Sequence, residues 1–286
     1  MKKTKKAKKT APKMTEREYR EHPAISRSEL WRIHESPEKF KYFRDNSPTP
    51  TPSLLFGQVV HKLLLEPETF DRDFVVAPAG IDRRTSVGKE VYAAFTSAVN
   101  GRTVVAPDDY QKAAMMARKA LEHPLVRTLL DGQKETPFFW TDPDTGEACK
   151  CRVDCLTNLD SGPVIVDYKT ASSAATDVFN HSIYRYGYHF QAAMYSTGVI
   201  EALGLTERPG FIFVVQEKAP PYSVNVISVP PEVMLAGIDT YRELLGRYHE
   251  CKMTGYFYGY TGPFDEPNEA FLPSWLGIGE KIEEEE

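Results

Sequence analysis

The sequence predicts an α/β protein in which one central mixed β-sheet is flanked by helices. Apolar and polar residues alternate through residues 163–170, and turn-forming residues at 158–162 join this run to a preceding strand at 148–156, as in a β-hairpin. An apolar stripe with helical spacing runs through residues 53–65, and a long helical segment follows the last strand at residues 230–252. With 286 residues and 41% hydrophobic content, the chain can bury one sizeable core.

The elements are predicted in order from capping signals and from the period of the apolar residues. Ser26 precedes Glu29 by three residues in a capping-box arrangement, and Pro37 after Ser36 is typical of a second helix start. Further helices are predicted at residues 53–65, 89–98, 108–122, 124–130, 176–182, 188–203 and 230–252. Strands are predicted at residues 74–77, 104–105, 135–140, 148–156, 163–170, 211–216 and 222–229. The helices between residues 89 and 130 would form a helical cap.

Charge divides the chain into three parts. Residues 1–13 carry seven lysines and no acid, and we predict a disordered basic N-terminal arm over residues 1–23. One ordered domain is expected at residues 24–260, followed at 261–286 by a C-terminal extension that ends in four glutamates. Outside the lysine-rich segment, 28 basic residues stand against 40 acidic ones, so the body of the protein carries a net charge of −12.

The four cysteines do not form the pattern of a secreted disulfide framework, because three of them, at 149, 151 and 155, share one predicted strand. Buried thiols in a reducing cytoplasm are expected. A zinc site at these three positions is the alternative, although the usual second pair of ligands is lacking. No apolar run approaches the about 18 residues that span a membrane, and no signal peptide follows the lysines, so we expect neither a membrane span nor export.

The predicted hairpin brings charged side chains together. Asp167 and Lys169 lie two residues apart on one strand and therefore share a face, and Asp154 on the neighbouring strand is within reach of them. Two carboxylates a few ångströms apart repel each other unless a cation lies between them, and hard oxygen ligands favour Mg²⁺ or Mn²⁺. The alternative is a solvent-facing hairpin in which Lys169 is the salt-bridge partner of the two aspartates. Glu135, at the start of the preceding strand, is either a further carboxylate of the site or a surface residue.

Two other segments carry polar residues on apolar helical faces. His61 lies in the apolar stripe at residues 53–65, where a histidine is more often a core residue than a metal ligand. Gly57 lies one turn before it and would clear space beside the imidazole. Gln191 lies between Tyr188 and Tyr195 on one helical face; it needs a partner if it is buried, and a phosphate or a base edge would provide one.

These segments form an ordered set, consisting of Gly-x-x-x-His at 57–61, Asp154, Asp-x-Lys at 167–169 and Gln-x-x-x-Tyr at 191–195. The set resembles the PD-(D/E)XK nuclease superfamily, in particular its RecB-like branch. The RecE or exonuclease VIII type, often found in phages and prophages, is more similar still. The segments that resemble it are Ser26-Arg-Ser-Glu-Leu30 and residues 56–61, 65–68, 152–154, 166–170 and 188–191. The resemblance covers roughly residues 24–260 and implies a restriction-endonuclease-like fold.

The resemblance implies a role for each matching residue. The metal ligands would be His61, Asp154, Asp167 and the carbonyl group of Tyr168. Lys169 would position the attacking water and stabilise charge at phosphorus, whereas Gln191 and Tyr195 would hold the scissile strand. Candidate DNA contacts are Ser28 and Gln191, together with Arg83 and Arg84 of the basic loop at residues 82–88.

The implied function is a Mg²⁺-dependent exonuclease that degrades double-stranded DNA from the 5′ end and leaves a 3′ overhang for an annealing recombinase. A ring-like homo-oligomer in the cytoplasm of a bacterium or a phage-infected cell would go with it. Since the acidic body would repel DNA at long range, a local basic groove and divalent cations would have to bind it. The cysteine spacing of the RecB-like nucleases that carry an iron–sulfur cluster is absent, so no cluster is expected.

Two other functions remain open at this stage. One is a single-strand or structure-specific nuclease of the RecB-like type. The other is a catalytically silent module that binds DNA or loads a recombinase, against which the intact Asp154, Asp167 and Lys169 argue.

Overall fold

A computed structural model describes residues 14–46, 48–82 and 84–270 of the chain. Its helices are α1 (Glu16–Glu21), α2 (Arg27–Glu35), α3 (Pro37–Asp45), α4 (Pro52–Leu65), α5 (Phe70–Asp73), α6 (Ser86–Ser97), α7 (Pro107–Glu122), α8 (Pro124–Leu129), α9 (Thr176–Arg185), α10 (Tyr188–Leu203) and α11 (Pro231–Thr254). Its strands are β1 (Ile25–Ser26), β2 (Phe74–Val76), β3 (Thr103–Val105), β4 (Gln133–Thr141), β5 (Ala148–Leu159), β6 (Gly162–Ala171), β7 (Gly210–Glu217) and β8 (Val224–Ser228).

The central sheet is mixed. Strands β4, β5 and β6 form an antiparallel meander, β7 lies parallel to β6, and β8 returns antiparallel to β7. The short strand β1 pairs in parallel with the start of β5. Helices cover both faces of the sheet, and β2 and β3 form a separate two-stranded parallel sheet beside α4 and α7. The predicted fold class, a central mixed sheet flanked by helices, is confirmed.

The two faces of the sheet pack against different helices. On one face, α2, α9, α10 and α11 contribute to a hydrophobic core with Ile165 of β6 and Phe213 of β7. On the other face, α4, α7 and α8 pack on Val164, Val166 and Tyr168 of β6. Because side chains alternate along a strand, Asp167 and Lys169 lie on the same side of β6 as Ile165, towards α10.

The alternation of side chains along β5 breaks at Asp154. Cys151 and Val153 belong to the core beside α10, as alternation requires, but Cys155 belongs to the opposite core. Glu135, the residue of β4 in register with Asp154, has a φ of +48°, which a non-glycine residue rarely adopts. Cys155 therefore does not share a face with Cys149 and Cys151, although all three lie on β5, and all four cysteines are buried free thiols.

The structure places a helix inside the segment that the sequence predicts as a disordered arm. Helix α1 begins after Thr15, which forms a capping box with Glu18. The Nζ atom of Lys150 lies almost buried beneath the end of α1 and donates to the carbonyl oxygens of Tyr19 (2.9 Å) and His22 (2.7 Å). These contacts join residues more than a hundred positions apart, so the local composition of residues 1–23 could not indicate them. The lysine-rich residues 1–13 and the acidic end at 271–286 lie outside the described residues.

Within the part of the chain that the structure covers, no helix has the length and apolar character that a membrane crossing requires.

We expect Lys150→Met to loosen α1 while leaving the sheet intact. The methionine has a similar length but cannot donate, so the carbonyl oxygens at the end of α1 lose their partner, at a cost of about 1–3 kcal/mol. The measurement is the rate at which trypsin cuts after Arg20, followed by mass spectrometry, beside thermal melting. Lys134→Met, which alters an exposed lysine on β4, is the control. Equal cleavage rates in the two variants would contradict the anchoring role of Lys150.

Candidate active site

An opening in the sheet forms the candidate site. Strand β1 pairs with β5 only at Cys149 and Lys150, and β6 pairs with β5 only from Cys155 onward, on the same edge of β5. Among the described strands, none pairs with this edge of β5 between the two segments, and Asp154 lies at the end of the unpaired stretch. Continued pairing would have placed Asp154 opposite Asp167. The strands separate instead, and both carboxylates line the opening.

The side chain of Asp154 takes the place of the missing backbone pairing. The backbone N–H of Tyr168 donates to Asp154 Oδ2 at 2.7 Å, so this N–H is satisfied although the strands have separated. His61 of α4 reaches the same point from the other face, with its Nδ1 atom 3.5 Å from Asp154 Oδ2. Its Nε2 atom lies 2.7 Å from the carbonyl oxygen of Tyr168. Because a carbonyl oxygen can only accept, Nε2 carries a proton and donates to it, and Nδ1 faces Asp154.

Glu135 joins this group from β4. Donor atoms of His61, Glu135 and Asp154 all lie within 4.8 Å of one another. Burial raises the pKa of the Glu135 carboxyl to about 8, and the charge of Asp154 adds to this, although Arg152 opposes it with a salt bridge of 2.8 Å. The pKa of Arg152 is raised despite its burial, because Glu135 and Glu16 both face it. The structure thus places Glu135 at the site rather than on the surface.

Asp167, Lys169 and Gln191 form a second group on the α10 side of the opening. Asp167 is 1% exposed, and Lys169 Nζ lies 2.5 Å from its Oδ2 atom without the geometry of a hydrogen bond. The side-chain amide of Gln191 donates to Oδ1 of Asp167. Burial raises the pKa of the Asp167 carboxyl, and the charge of Asp154 adds to this, while Lys169 opposes it. Burial acts against the charge of Lys169, but Asp167 outweighs it and the pKa of Lys169 is raised.

The groups around the opening fit a small divalent cation. Asp154 Oδ2 and His61 Nδ1 are two electron-pair donors 3.5 Å apart, close to the about 3 Å between neighbouring ligands of an octahedral site with bonds of 2.0–2.1 Å. Asp167 Oδ2 is a buried carboxylate oxygen whose recorded partner among the described residues is the ammonium group of Lys169. The carboxylate and carbonyl oxygens around the opening suit Mg²⁺ or Mn²⁺. The carbonyl of Tyr168 accepts from His61 and keeps one lone pair for a further ligand role.

Sequence reasoning missed Arg27. Its half-buried side chain packs against the rings of Trp31, Tyr188 and Phe190 and donates to the carbonyl oxygen of Tyr186. Among the described residues, its buried Nε atom has no hydrogen-bond partner. Burial lowers the pKa of Arg27, opposed by the nearby Tyr195, Tyr188 and Asp167. The sequence did point to this region, because Arg27 lies inside the Ser26–Leu30 segment that carries part of the family resemblance. It did not single out Arg27, because a basic residue in the first turn of a helix is usually solvated.

The remaining predicted residues lie in different surroundings. Tyr195 lies on α10 close to Asp167, and burial raises the pKa of its phenol well above the usual range. Gln191 is buried, and the partner that a buried amide requires is Asp167 rather than a phosphate or a base edge. Ser28 is exposed in the first turn of α2, with its hydroxyl 3.3 Å from that of Ser26. A Cβ atom added at Gly57 would make only an ordinary contact with Thr170, so packing alone does not require glycine there.

The basic loop before α6 contributes nothing to the opening in the described part of the chain. Arg84 is highly exposed and pairs with Asp82 of its own loop at 2.9 Å. Arg83 lies outside the described residues, so its predicted DNA contact stays a prediction.

The pH dependence of stability should report the raised pKa of Glu135. The Glu135 carboxyl has a higher pKa in the folded protein, about 8, than in the unfolded chain, about 4.3. The folded state therefore loses stability relative to the unfolded state as the pH rises through this interval. In EDTA, Glu135→Gln should therefore melt at a higher temperature than wild type at pH 8.5, by about 3 °C or more, with a smaller gain at pH 5. Glu207→Gln, at an exposed position, is the control. A gain in melting temperature that does not depend on pH would contradict the raised pKa of Glu135.

Metal binding should depend on His61. If Nδ1 of His61 is a ligand, His61→Ala should raise the Mn²⁺ concentration that gives half of the metal-induced rise in melting temperature, by about 10–100-fold. His181→Ala, which removes an exposed histidine of α9, should leave the titration unchanged. If His61→Ala lowers the melting temperature in EDTA yet keeps the same Mn²⁺ titration, His61 is a core residue instead.

Comparisons with known proteins agree with this geometry. A family described as "PDDEXK-like domain of unknown function (DUF3799)" matches residues 26–265, most of the chain. The chain is similar in fold to a solved structure from Eubacterium rectale named "Putative exonuclease", with 9% sequence identity and a TM-score of 0.56 over 94% of this chain and 99% of the other. A second solved structure, SSO0001, aligns with 15% identity over 66% of this chain and 84% of the other, but its TM-score of 0.29 supports no argument. A search of curated proteins found no match.

Proposed function

Because the chain belongs to the PDDEXK-like domain family, we propose that it is a divalent-metal-dependent nuclease that hydrolyses phosphodiester bonds of DNA. The observation that carries this proposal is the opening between β5 and β6. There, His61, Glu135 and Asp154 approach one another on one side, and Asp167 with Lys169 lies on the other. The name of the E. rectale protein supports the same class of activity.

The proposed chemistry divides between the metal ion and the protein. A Mg²⁺ or Mn²⁺ ion held by His61, Asp154 and Asp167 would polarise the phosphate and lower the pKa of a bound water. Lys169 holds its ammonium group beside Asp167 and neutralises negative charge that develops at phosphorus. Gln191 fixes the orientation of the Asp167 carboxylate, and so acts on the reaction through that residue.

Arg27 supplies a second cation close to the site. It is held by the surrounding rings and by the Tyr186 carbonyl group, so little side-chain entropy would be lost when it meets a phosphate. Since the body of the protein carries a net charge of −12, we assign DNA binding at the site to local cations and the metal ion rather than to a long-range field.

The finer proposal is a RecE-type exonuclease. It would degrade double-stranded DNA from the 5′ end, leave a 3′ overhang for a single-strand annealing protein, and form a ring-like homo-oligomer around the duplex. The support is the resemblance of the ordered motif set from Gly57 to Tyr195. A ring would also keep an acidic protein on DNA when salt screens the local attraction. A single-strand or structure-specific nuclease and a silent DNA-binding module are the alternatives.

The test is digestion of linear duplex DNA by the full chain with Mg²⁺ or Mn²⁺, with label at the 5′ or the 3′ end. We expect the 5′ label to be released first, covalently closed circles to resist, and light scattering to show a species larger than a monomer. Asp154→Asn, Asp167→Asn and Lys169→Met should each lower the rate by about 100-fold or more, because each removes a charge from the reacting centre. Asp160→Asn, which alters an exposed aspartate in the turn of the same hairpin, is the matched control.

Each other outcome selects an alternative. Digestion of single strands or of flaps, without attack on duplex ends, would favour the structure-specific nuclease. DNA binding by the wild type without cleavage under either metal ion would favour the silent module. Activity within about tenfold of wild type in Asp167→Asn or Lys169→Met would remove those residues from the reacting centre.

A further inference from the structure

From the turn between α9 and α10, we infer a further binding site, a stacking platform on which the exposed ring of Tyr186 holds an unpaired nucleobase of the DNA strand being cut. The inference rests on the proposed function and deepens it. It states that the substrate strand is unpaired next to the cleaved phosphate, which the reaction itself does not require.

The first argument is a continuous series of contacts from the catalytic lysine to the surface. The Nζ atom of Lys169 lies 4.9 Å from the centroid of the Tyr188 ring. The Tyr188 ring lies 5.8 Å from that of Tyr186, which is 47% exposed. Together these distances place the centroid of the Tyr186 ring at most about 11 Å from Lys169 Nζ. Because the phosphates of one DNA strand follow each other at about 3.4 Å along the helix axis, a base on Tyr186 would lie within about three nucleotides of the cut.

The second argument is charge. Arg185 extends over the Tyr186 ring, with its guanidinium carbon 5.7 Å from the centroid. Arg27 lies behind the same turn and approaches the Tyr188 ring at 5.9 Å. A cation at the exposed ring and a second one beside its neighbour match the alternation of phosphate and base along a single strand. This local concentration of cations is notable on a body that carries a net charge of −12.

The third argument is that the turn is rigid. Gly187 has a φ of +65°, and a Cβ atom added there would collide with the ring of Trp31, so only glycine fits. Arg27 donates to the carbonyl oxygen of Tyr186, which fixes the residue just before this glycine. An aromatic ring held in place before the ligand arrives binds at a lower entropic cost.

An unpaired base is the occupant that this geometry favours. In a duplex, both faces of an internal base are covered by its neighbours, so the half-exposed Tyr186 ring could not reach one without unstacking it. A base at a frayed or single-stranded end offers a free face, and stacking tolerates every base because each has a π-face. The platform would therefore hold a strand after its separation from the complement, and would guide its phosphates towards Lys169.

The test compares DNA duplexes with an unpaired tail of about three nucleotides that either carries bases or is abasic. Ca²⁺ replaces Mg²⁺ so that binding is measured without cleavage. Tyr186→Ala should weaken binding of the base-bearing tail by about five- to tenfold, within the range for loss of base–aromatic stacking, whereas Tyr186→Phe should bind as wild type does. On the abasic tail, wild type and Tyr186→Ala should bind equally. Tyr42→Ala, which removes a tyrosine of α3 that is 59% exposed, is the matched control, and all variants should melt at the wild-type temperature.

Three results would overturn the platform. They are unchanged binding of the base-bearing tail by Tyr186→Ala, an equal loss on the abasic tail, and a changed oligomeric state in light scattering, which would assign the ring to an interface between copies. Failure of the nuclease proposal would be seen in a different measurement, namely the absence of cleavage by the wild type with Mg²⁺ or Mn²⁺. If the wild type cleaves and Tyr186→Ala binds normally, only the platform is lost.

Discussion

The separation of β5 and β6 at Asp154 is the constraint on which the candidate site depends. Where two strands stop pairing inside a protein, a buried backbone N–H group is left. Leaving that group without a hydrogen-bond partner costs about 1–3 kcal/mol of stability. The carboxylate of Asp154 removes that cost by accepting from the N–H of Tyr168. One side chain thus ends the pairing and stands at the opening it creates. His61 then approaches from the α4 side and Gln191 from the α10 side, so both faces of the sheet contribute to one site.

The same opening concentrates negative charge. Burial raises the pKa of Glu135 and of Asp167, and the charge of Asp154 adds to both shifts, although Arg152 and Lys169 lie beside them. The protein keeps this arrangement at the expense of stability, which is typical of a functional site. A divalent cation would reverse the balance, because it would turn the repulsion into ligand bonds. The Arg27 and Lys169 side chains extend positive charge from the opening towards the α9–α10 turn.

The sequence predicted those parts of the site whose positions follow from a regular period. The shared face of Asp167 and Lys169 follows from the period of a strand, and the position of Gln191 between Tyr188 and Tyr195 on α10 follows from the period of a helix. The burial of Gln191 did not follow from the period and was left open. The sequence could not place Glu135. This residue has a left-handed backbone conformation, and the alternation of side chains along β5 breaks beside it, which together bring its carboxylate to Asp154. Helix α1 escaped prediction for another reason, since its anchor, Lys150, lies far along the chain.

Arg27 connects the opening with the proposed platform. It follows β1 directly, and β1 is the strand that pairs with β5 beyond the unpaired edge, so Arg27 is fixed to one boundary of the opening. Its guanidinium group reaches across to the Tyr186 carbonyl, 159 residues along the chain, beside the ring that contacts Lys169. A shift of β1 or of the α9–α10 turn would break this hydrogen bond and the packing of the half-buried guanidinium group on the Trp31 and Tyr188 rings. The distance between the reacting centre and the exposed ring of Tyr186 is therefore set by the core of the protein rather than by a loose loop.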